Sequence, residues 1–600
     1  MPKESVKRKV EKILNIVPEL KAILLSTDSL DTKRARVRDY LSQMVVNTFE
    51  DDPKIPPLEW VLTRDAINVC RRILSERSER LAGFSLLKYL DAIVNGNAHP
   101  EGLADPGPGF FAELEHLMKG ISGQTNIYAE KSPAFGKYHG QKAARIRSHD
   151  LSRMARSARQ LLDRYPSGLD SDVIRKRLLN KARILKFFGA TELEWEQWKW
   201  HTRHIIRDAD TLNSLIKLRP EDYEAVKLTR RYKIPFGITP YYLSLMDYRP
   251  DGGNDDAVRA QVIPSLNYVN KLNEMRSSSE CSIDFMLERD TSPIEGITRR
   301  YPMIVILKPI MTCPQICVYC QRNWEIEDVY SQSAVLTKEK LDKAINWIAD
   351  TPEIKEVLIT GGDPLLLSNA RLEHLLFKLS RIKHLERIRI GTRMLVTLPQ
   401  RVTDSLVRDI NHFHSPGKRE IVLVTHFEHP YEVTPQAMEA TQKFRRYGME
   451  VNNQLVYTFY NSRKFEAAAL RLKLRLIGVA PYYTFNTKGK EETDDFRVPI
   501  ARLLQEQQEE ARLLPGTVRT DEIVFNVPKL GKNYLRASQH HDIIAILPDG
   551  RRVYEFHPWE KKLSLVDTYI YTDVSIHDYL NKLKQHGENP SQYKTIWYYY

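Results

Sequence analysis

Cys313-Pro-Gln-Ile-Cys317-Val-Tyr-Cys320 sets three cysteines at offsets of four and three, and Gln321-Arg322-Asn323 follows at once. Three thiolates can hold three irons of a four-iron, four-sulfur cube and leave the fourth iron open. An open iron can bind the amino and carboxylate groups of S-adenosylmethionine and pass it one electron. Tetrahedral zinc is the competing chemistry, but it asks for a fourth ligand in a CxxC or Cys/His pattern. No cysteine follows Cys320. A lysine in a glycine-containing loop, Pro528-Lys529-Leu530-Gly531-Lys532, offers a second chemistry. A neutral amine there, its pKa depressed by desolvation or nearby cations, can form a Schiff base with pyridoxal phosphate, although most lysines in such loops are merely solvated.

The elements that must position these groups alternate. Apolar, β-rich runs occur at 304–307, 356–360, 387–390, 420–425, 453–459 and 480–485, and helical periodicity fills 338–349, 370–382, 404–412, 435–447 and 464–476. Six such β/α units predict an α/β fold, a parallel sheet curved into a partial (β/α)6 barrel. Barrels of this kind place chemistry at the carboxyl ends of their strands. The cysteine loop, Gly361-Gly362-Asp363-Pro364, Arg393 and His426 all fall at such ends. The glycine pair permits close backbone approach to a ligand, and Asp363 offers a carboxylate to an amine or to ribose hydroxyls. Arg393 suits a carboxylate partner, and His426 can face a cofactor.

Around this centre the chain divides by composition. Residues 1–186 read as an all-helical extension of undetermined role, with three- and four-residue apolar spacing at 6–16, 31–46, 63–75 and 174–188. Residues 187–290 form a helical lead-in, with one helix expected from Glu194 to Leu218. Then come the partial barrel (291–500), the segment of the loop lysine (501–575) and an aromatic tail (576–600) ending Trp597-Tyr598-Tyr599-Tyr600. The net charge of +13 is concentrated: between Lys137 and Lys186 fourteen Lys or Arg face four Asp or Glu, an excess of ten. Such a block suits an anionic partner or a solvated helix face, and it lacks the interleaved aromatics of a base-stacking platform, so nucleic acid is not expected. No run of about 18 apolar residues supports a membrane span. Five cysteines, three of them in one motif, make no disulfide framework and fit a reducing cytoplasm.

From about 191 to 573 the ordered motifs ITPYYLSLMD, TSPIEGITRRYP, CPQICVYCQR, TGGDPLLLS, RIGTRMLVTLPQR, THFEHPYEVTP, NNQLVYT, PYYTFN and VPKLGK resemble the lysine 2,3-aminomutase family of radical S-adenosylmethionine enzymes. Residues 1–186 fall outside this resemblance. It implies three cofactors: a [4Fe-4S] cluster on Cys313, Cys317 and Cys320, S-adenosylmethionine, and pyridoxal 5′-phosphate. It also implies an amino-acid substrate whose amino group migrates between C2 and C3. The partners implied are an electron donor such as flavodoxin or ferredoxin and a second copy of the chain in a homo-oligomer. By the same resemblance Gly361, Gly362, Asp363, Arg393 and His426 bind S-adenosylmethionine. Lys532, with Lys529 as rival, holds pyridoxal phosphate beside Arg300 and Tyr301. A further family arginine is Ile304 here, so the phosphate is expected to use Lys308 or another base. Arg322 matches the arginine that clamps the substrate α-carboxylate. Where lysine-acting members carry two aspartates for the distal ammonium, this chain has Lys488, with Lys490 close by, and Asn526. The glutamate-acting branch has that Lys and Asn pair, and a lysine plus an amide suit a carboxylate. The carboxyl-terminal zinc site of lysine-acting members is absent, since its cysteines are missing.

Overall fold

The computed structural model describes residues 3–49, 59–96, 104–128, 133–250, 253–277, 283–487, 490–537, 540–558 and 563–600. Two compact units emerge, one of residues 159–497 with 514–529, the other of 1–158, 498–513 and 530–600.

The first unit is built on a parallel sheet. A two-residue strand β1 (Ile297–Thr298) pairs antiparallel with β2 (Ile304–Ile310). After it β3 (Glu356–Gly361), β4 (Arg387–Gly391), β5 (Glu420–Thr425), β6 (Glu450–Tyr457), β7 (Ala480–Asn486) and β8 (Glu522–Val527) join in chain order, each parallel to the last. All six strands expected from the apolar runs stand in the sheet, and β8 adds a seventh parallel member. Strands covered on both faces read as unbroken apolar runs; in β5 every residue from Ile421 to Thr425 is buried.

Four crossover helices start on a hydroxyl cap. Thr337, Ser368, Thr403 and Thr434 accept from the backbone N–H of Lys340, Arg371, Leu406 and Ala437, opening Lys338–Ala349, Asn369–Ser380, Asp404–Asn411 and Pro435–Arg445. Each cap is worth about 1 kcal/mol and fixes where the loop after a strand ends. The polar motifs are thereby confined to short loops at the strands' carboxyl ends. The single helix expected from Glu194 to Leu218 is instead three short ones, Glu192–Trp195, Trp198–Arg203 and Ala209–Leu215. Asp208 breaks it by capping the N–H of Thr211 at 2.8 Å.

In the second unit, amino-terminal helices and carboxyl-terminal strands share one core. The strands β9 (Gly531–Tyr534), β10 (His541–Ile546), β11 (Arg552–Phe556) and β12 (Tyr569–Thr572) belong here, and β10, β11 and β12 form an antiparallel sheet. Helix Pro108–Ile121 meets the turn before β11 so closely that a Cβ on Gly109 would lie 2.8 Å from the Asp549 carbonyl oxygen. Arg552, buried, reaches both oxygens of Glu113 and the carbonyls of Trp597 and Tyr599. The aromatic tail is thus docked on its own chain. The compact units therefore group the chain differently from the compositional boundaries at 186, 290, 500 and 575. Among the described residues no helix is long and apolar enough to cross a membrane.

Candidate functional site

The loop that carries the cysteines leaves β2 and is gripped by the loop after β3. Gly362 donates to the Ile310 carbonyl at 2.8 Å, and Asp363 to that of Thr312 at 3.0 Å. A Cβ on Gly362 would stand 2.1 Å from the Thr312 oxygen, and Gly361 sits at φ +112°. The glycine pair is therefore required by the cysteine loop itself. Burial pushes the Cys313 thiol well above its ordinary value and the Cys317 thiol up to about 11, Arg393 offsetting part of the latter shift. Among the described residues no three potential ligands converge as they would on a single ion. Three cysteines around the corners of a cube need not converge, and an iron–sulfur cluster would also hold them as thiolates.

Arg393, placed just past β4, is the centre of the next layer. Its Nη1 donates to the Cys317 sulfur at 2.8 Å, its Nε to the His426 carbonyl at 3.1 Å, and its Nη2 to Glu432 at 2.9 Å and to Gln261. Glu432 in turn accepts from the Tyr242 hydroxyl at 2.7 Å and from the backbone N–H of Glu428 at 2.6 Å. Asp363 accepts from the Thr392 hydroxyl at 2.7 Å and from the backbone N–H of Leu365 and Arg393 at 3.1 and 2.8 Å. Its carboxylate ties β3 to β4, a bracing role that sequence reasoning gave to a ligand. His426 lies 3.7 Å from Glu428, a buried carboxylate whose Oε1 has no hydrogen-bond partner. The Thr425 hydroxyl and both amide atoms of Gln315 are buried without partners as well. Buried polar atoms are seldom left unpaired. These four lie in the cysteine loop and at the end of β5, where a polar ligand such as S-adenosylmethionine would engage them.

Arg322 belongs to a third group. Its Nε and Nη2 grip both oxygens of Glu288, at 3.0 and 2.9 Å. Burial pushes the Glu288 carboxyl up, but Arg322 and then Lys308 bring it below the ordinary range. Gln321 donates to Glu288 at 2.9 Å, and Asn526 from β8 donates to Gln321 at 3.2 Å. Arg322 and Asn526, 204 residues apart, are so joined through Gln321 and Glu288. Burial lowers the Arg300 guanidinium, while Tyr301 and Glu288 work to raise it; Arg300 donates to the Met286 carbonyl at 2.6 Å. Lys308 donates to Glu325 at 2.8 Å, so its ammonium is already engaged. Ile304 opens β2 opposite Glu356.

Two lysines near the expected pocket separate cleanly. Lys490 is buried, pairing with Glu492 at 2.7 Å and donating to Asn323 and the Cys320 carbonyl, so it is a strut beneath the cysteine loop. Lys488 lies outside the described residues. Lys529 is exposed at the turn after β8, at φ +65°, and Lys532 is half-buried on β9 in the second unit. Sequence reasoning missed Glu288, Glu432 and Gln261. A Glu beside Arg-Asp-Thr has no local mark; only the fold brings it to Arg322.

A family model described as the Radical SAM superfamily matches residues 307–471. The chain is 41% identical to an uncharacterized KamA family protein of Methanocaldococcus jannaschii, over 98% of this chain and 97% of that one. It is 33% identical to glutamate 2,3-aminomutase of Clostridioides difficile, over 58% of this chain and 79% of that enzyme. To L-lysine 2,3-aminomutase of Acetoanaerobium sticklandii it is 36% identical, over 53% of this chain and 73% of that enzyme.

Proposed function

The chain belongs to the KamA family of radical S-adenosylmethionine 2,3-aminomutases, and from that premise we propose that it converts L-glutamate to β-glutamate, with pyridoxal phosphate held by Lys532. The observation that carries the choice of substrate is Asn526. Where a lysine ammonium would call for a carboxylate, β8 presents a buried amide in line with Gln321 and Arg322. Lys488, one residue past Thr487 at the end of β7, is the matching cation for a γ-carboxylate.

In this reading Cys313, Cys317 and Cys320 hold the cluster. The cluster and S-adenosylmethionine supply a radical able to remove hydrogen from C3. Arg393 orients the cluster loop by donating to the Cys317 sulfur. Arg322 binds the substrate α-carboxylate, and Glu288 fixes the plane of its guanidinium. Arg300, Arg322 and Lys308 bring three cations together here, which suits a dianionic amino acid and a phosphate. Lys532 rather than Lys529 is the amine because it is half-buried on β9, whereas Lys529 is exposed.

An anaerobic panel of amino acids with dithionite and S-adenosylmethionine tests this. L-Glutamate should turn over and L-lysine should not, and Asn526→Asp should cut kcat/KM for glutamate by ~100-fold, because it sets a charge against the γ-carboxylate. Turnover of lysine with glutamate untouched would overturn the assignment. A pyridoxyl label fixed by borohydride at any lysine but Lys532 would overturn the anchor alone.

A further inference from the structure

We propose that Glu325 is a further specificity-determining residue of this site, receiving the α-ammonium of the incoming amino acid while Arg322 holds its α-carboxylate. This role rests on Arg322 being the carboxylate clamp, and it extends to any α-amino acid, whatever its side chain. Four charged side chains close a ring within the barrel unit. Arg322 grips Glu288 at 2.9 and 3.0 Å. Lys308, on β2, lies 3.9 Å from the same carboxylate and donates to Glu325 Oε1 at 2.8 Å. Glu325 returns to Arg322 along the chain: its backbone N–H donates to the Arg322 carbonyl at 3.0 Å, closing the 3-10 helical turn Asn323–Glu325. Residues three apart in such a turn eclipse, so the Arg322 and Glu325 side chains leave it on the same side. Basic and acidic side chains thus alternate around the ring.

The ring is incomplete at two places. Glu325 Oε2 is buried and accepts no hydrogen bond among the described residues. Arg322 spends Nε and Nη2 on Glu288, which leaves Nη1 for a ligand. A carboxylate oxygen taken out of water without a donor costs more than an ordinary hydrogen bond returns, and buried polar atoms are seldom left so. The side chains of Arg322, Glu325 and Lys308 keep 16, 13 and 11% exposure and that of Glu288 only 2%, so a small ligand can reach all but Glu288.

A free acceptor beside a free guanidinium edge selects among ligands. An α-amino acid carries an ammonium and a carboxylate on one carbon and answers both. A phosphate in this place would satisfy Arg322 but set its own charge against Oε2. A divalent cation would meet Lys308 and Arg322 between the two carboxylates, and among the described residues no three ligand groups gather around one point. A water would satisfy Oε2 but would confer no preference for ligands with an amino group. With ammonium and carboxylate each held by a charge-assisted contact, the α-carbon is fixed before the chemistry starts, and acids that lack the amino group leave Oε2 buried and unpaired.

The test uses the full chain with its cluster reconstituted without oxygen and pyridoxal phosphate withheld, so that the amino group of the ligand stays free. It is titrated calorimetrically with L-glutamate and with glutarate, which differs only in lacking that amino group. The wild type should bind L-glutamate ~10-fold or more tightly than glutarate. Glu325→Gln, nearly unchanged in shape, should abolish the preference, weakening L-glutamate by ~10-fold or more and leaving glutarate as it was. Unchanged glutarate affinity also reports an intact Arg322 and its loop. Equal wild-type affinity for the two ligands would overturn the proposal whether or not the variant folds. So would a variant that keeps the preference, as a water on Oε2 would allow, or one that loses both ligands equally. Where the panel assay finds turnover of another amino acid, that acid and its deamino counterpart replace the pair, so failure of the glutamate reading and failure of the Glu325 role are read separately.

Discussion

Glu466 is buried between Arg463, 2.7 Å away, and His429, 3.1 Å away. Burial pushes its carboxyl up, but Arg463 and His429 together hold it down to about 2, against an ordinary 4.5. A carboxyl depressed in the folded state adds stability above its unfolded value and loses that contribution as pH falls through the folded value. The window runs from about pH 5 to about pH 2. Glu466→Gln should thus flatten the fall in urea midpoint between pH 7 and pH 3 that the wild type shows. Identical slopes in the two proteins would refute the linkage. Glu466 and His429 are 37 positions apart, as Glu288 and Arg322 are 34 apart, and no local pattern announces either pair. The cysteines were legible because their ligand geometry is written within eight consecutive residues. Asp363 shows a related limit: the turn was legible, but not that its carboxylate accepts from Thr392 and two backbone N–H groups.

At the scale of elements the decisive contact is between two loops, those after β2 and β3. Gly362→Ala would drive a Cβ to 2.1 Å from the Thr312 oxygen and 2.4 Å from its nitrogen. Both are backbone atoms, so no rotamer relieves the clash and the loops must part, at a cost above the roughly 3 kcal/mol usual for overpacking. Iron bound per chain after anaerobic reconstitution should fall sharply. Gly516→Ala, which meets nothing within 4 Å, should leave it unchanged. Full iron loading of the Gly362 variant would refute the role given to this turn. Strand positions were legible because a parallel sheet buries both faces and leaves long apolar runs. The seventh strand, Glu522–Val527, has the same composition, but it stands apart from the regular β/α alternation and was read with the lysine loop. The helix break at Asp208 was hidden, since an aspartate caps or interrupts only according to where the chain must turn.

For the whole molecule the question is whether the amino-terminal helices are an appendage. Composition marked residues 1–186 as an all-helical extension of undetermined role, because they hold no catalytic pattern and fall outside the motif resemblance. The folded chain closes on itself in the second unit. Arg552 is held by Glu113 at 3.0 Å, 439 positions away, and Arg77 grips both oxygens of the buried Glu555 at 2.5 and 2.6 Å. Phe110, Leu114 and Leu117 are buried in the same unit. Contacts of that span leave no trace in local periodicity. Removing residues 1–158 would strand Arg552 and Glu555 as unpaired buried charges, each worth about 3–5 kcal/mol. It would also expose the apolar faces now covered by the helices. Such losses rival the whole stability of an ordinary domain, about 5–15 kcal/mol. The unit also carries β9, so Lys532 depends on it. A chain of residues 159–600 should therefore accumulate as insoluble protein, and any soluble remainder should fail to retain pyridoxal phosphate through gel filtration. A soluble, monodisperse fragment that keeps the cofactor would show that the barrel needs no such partner.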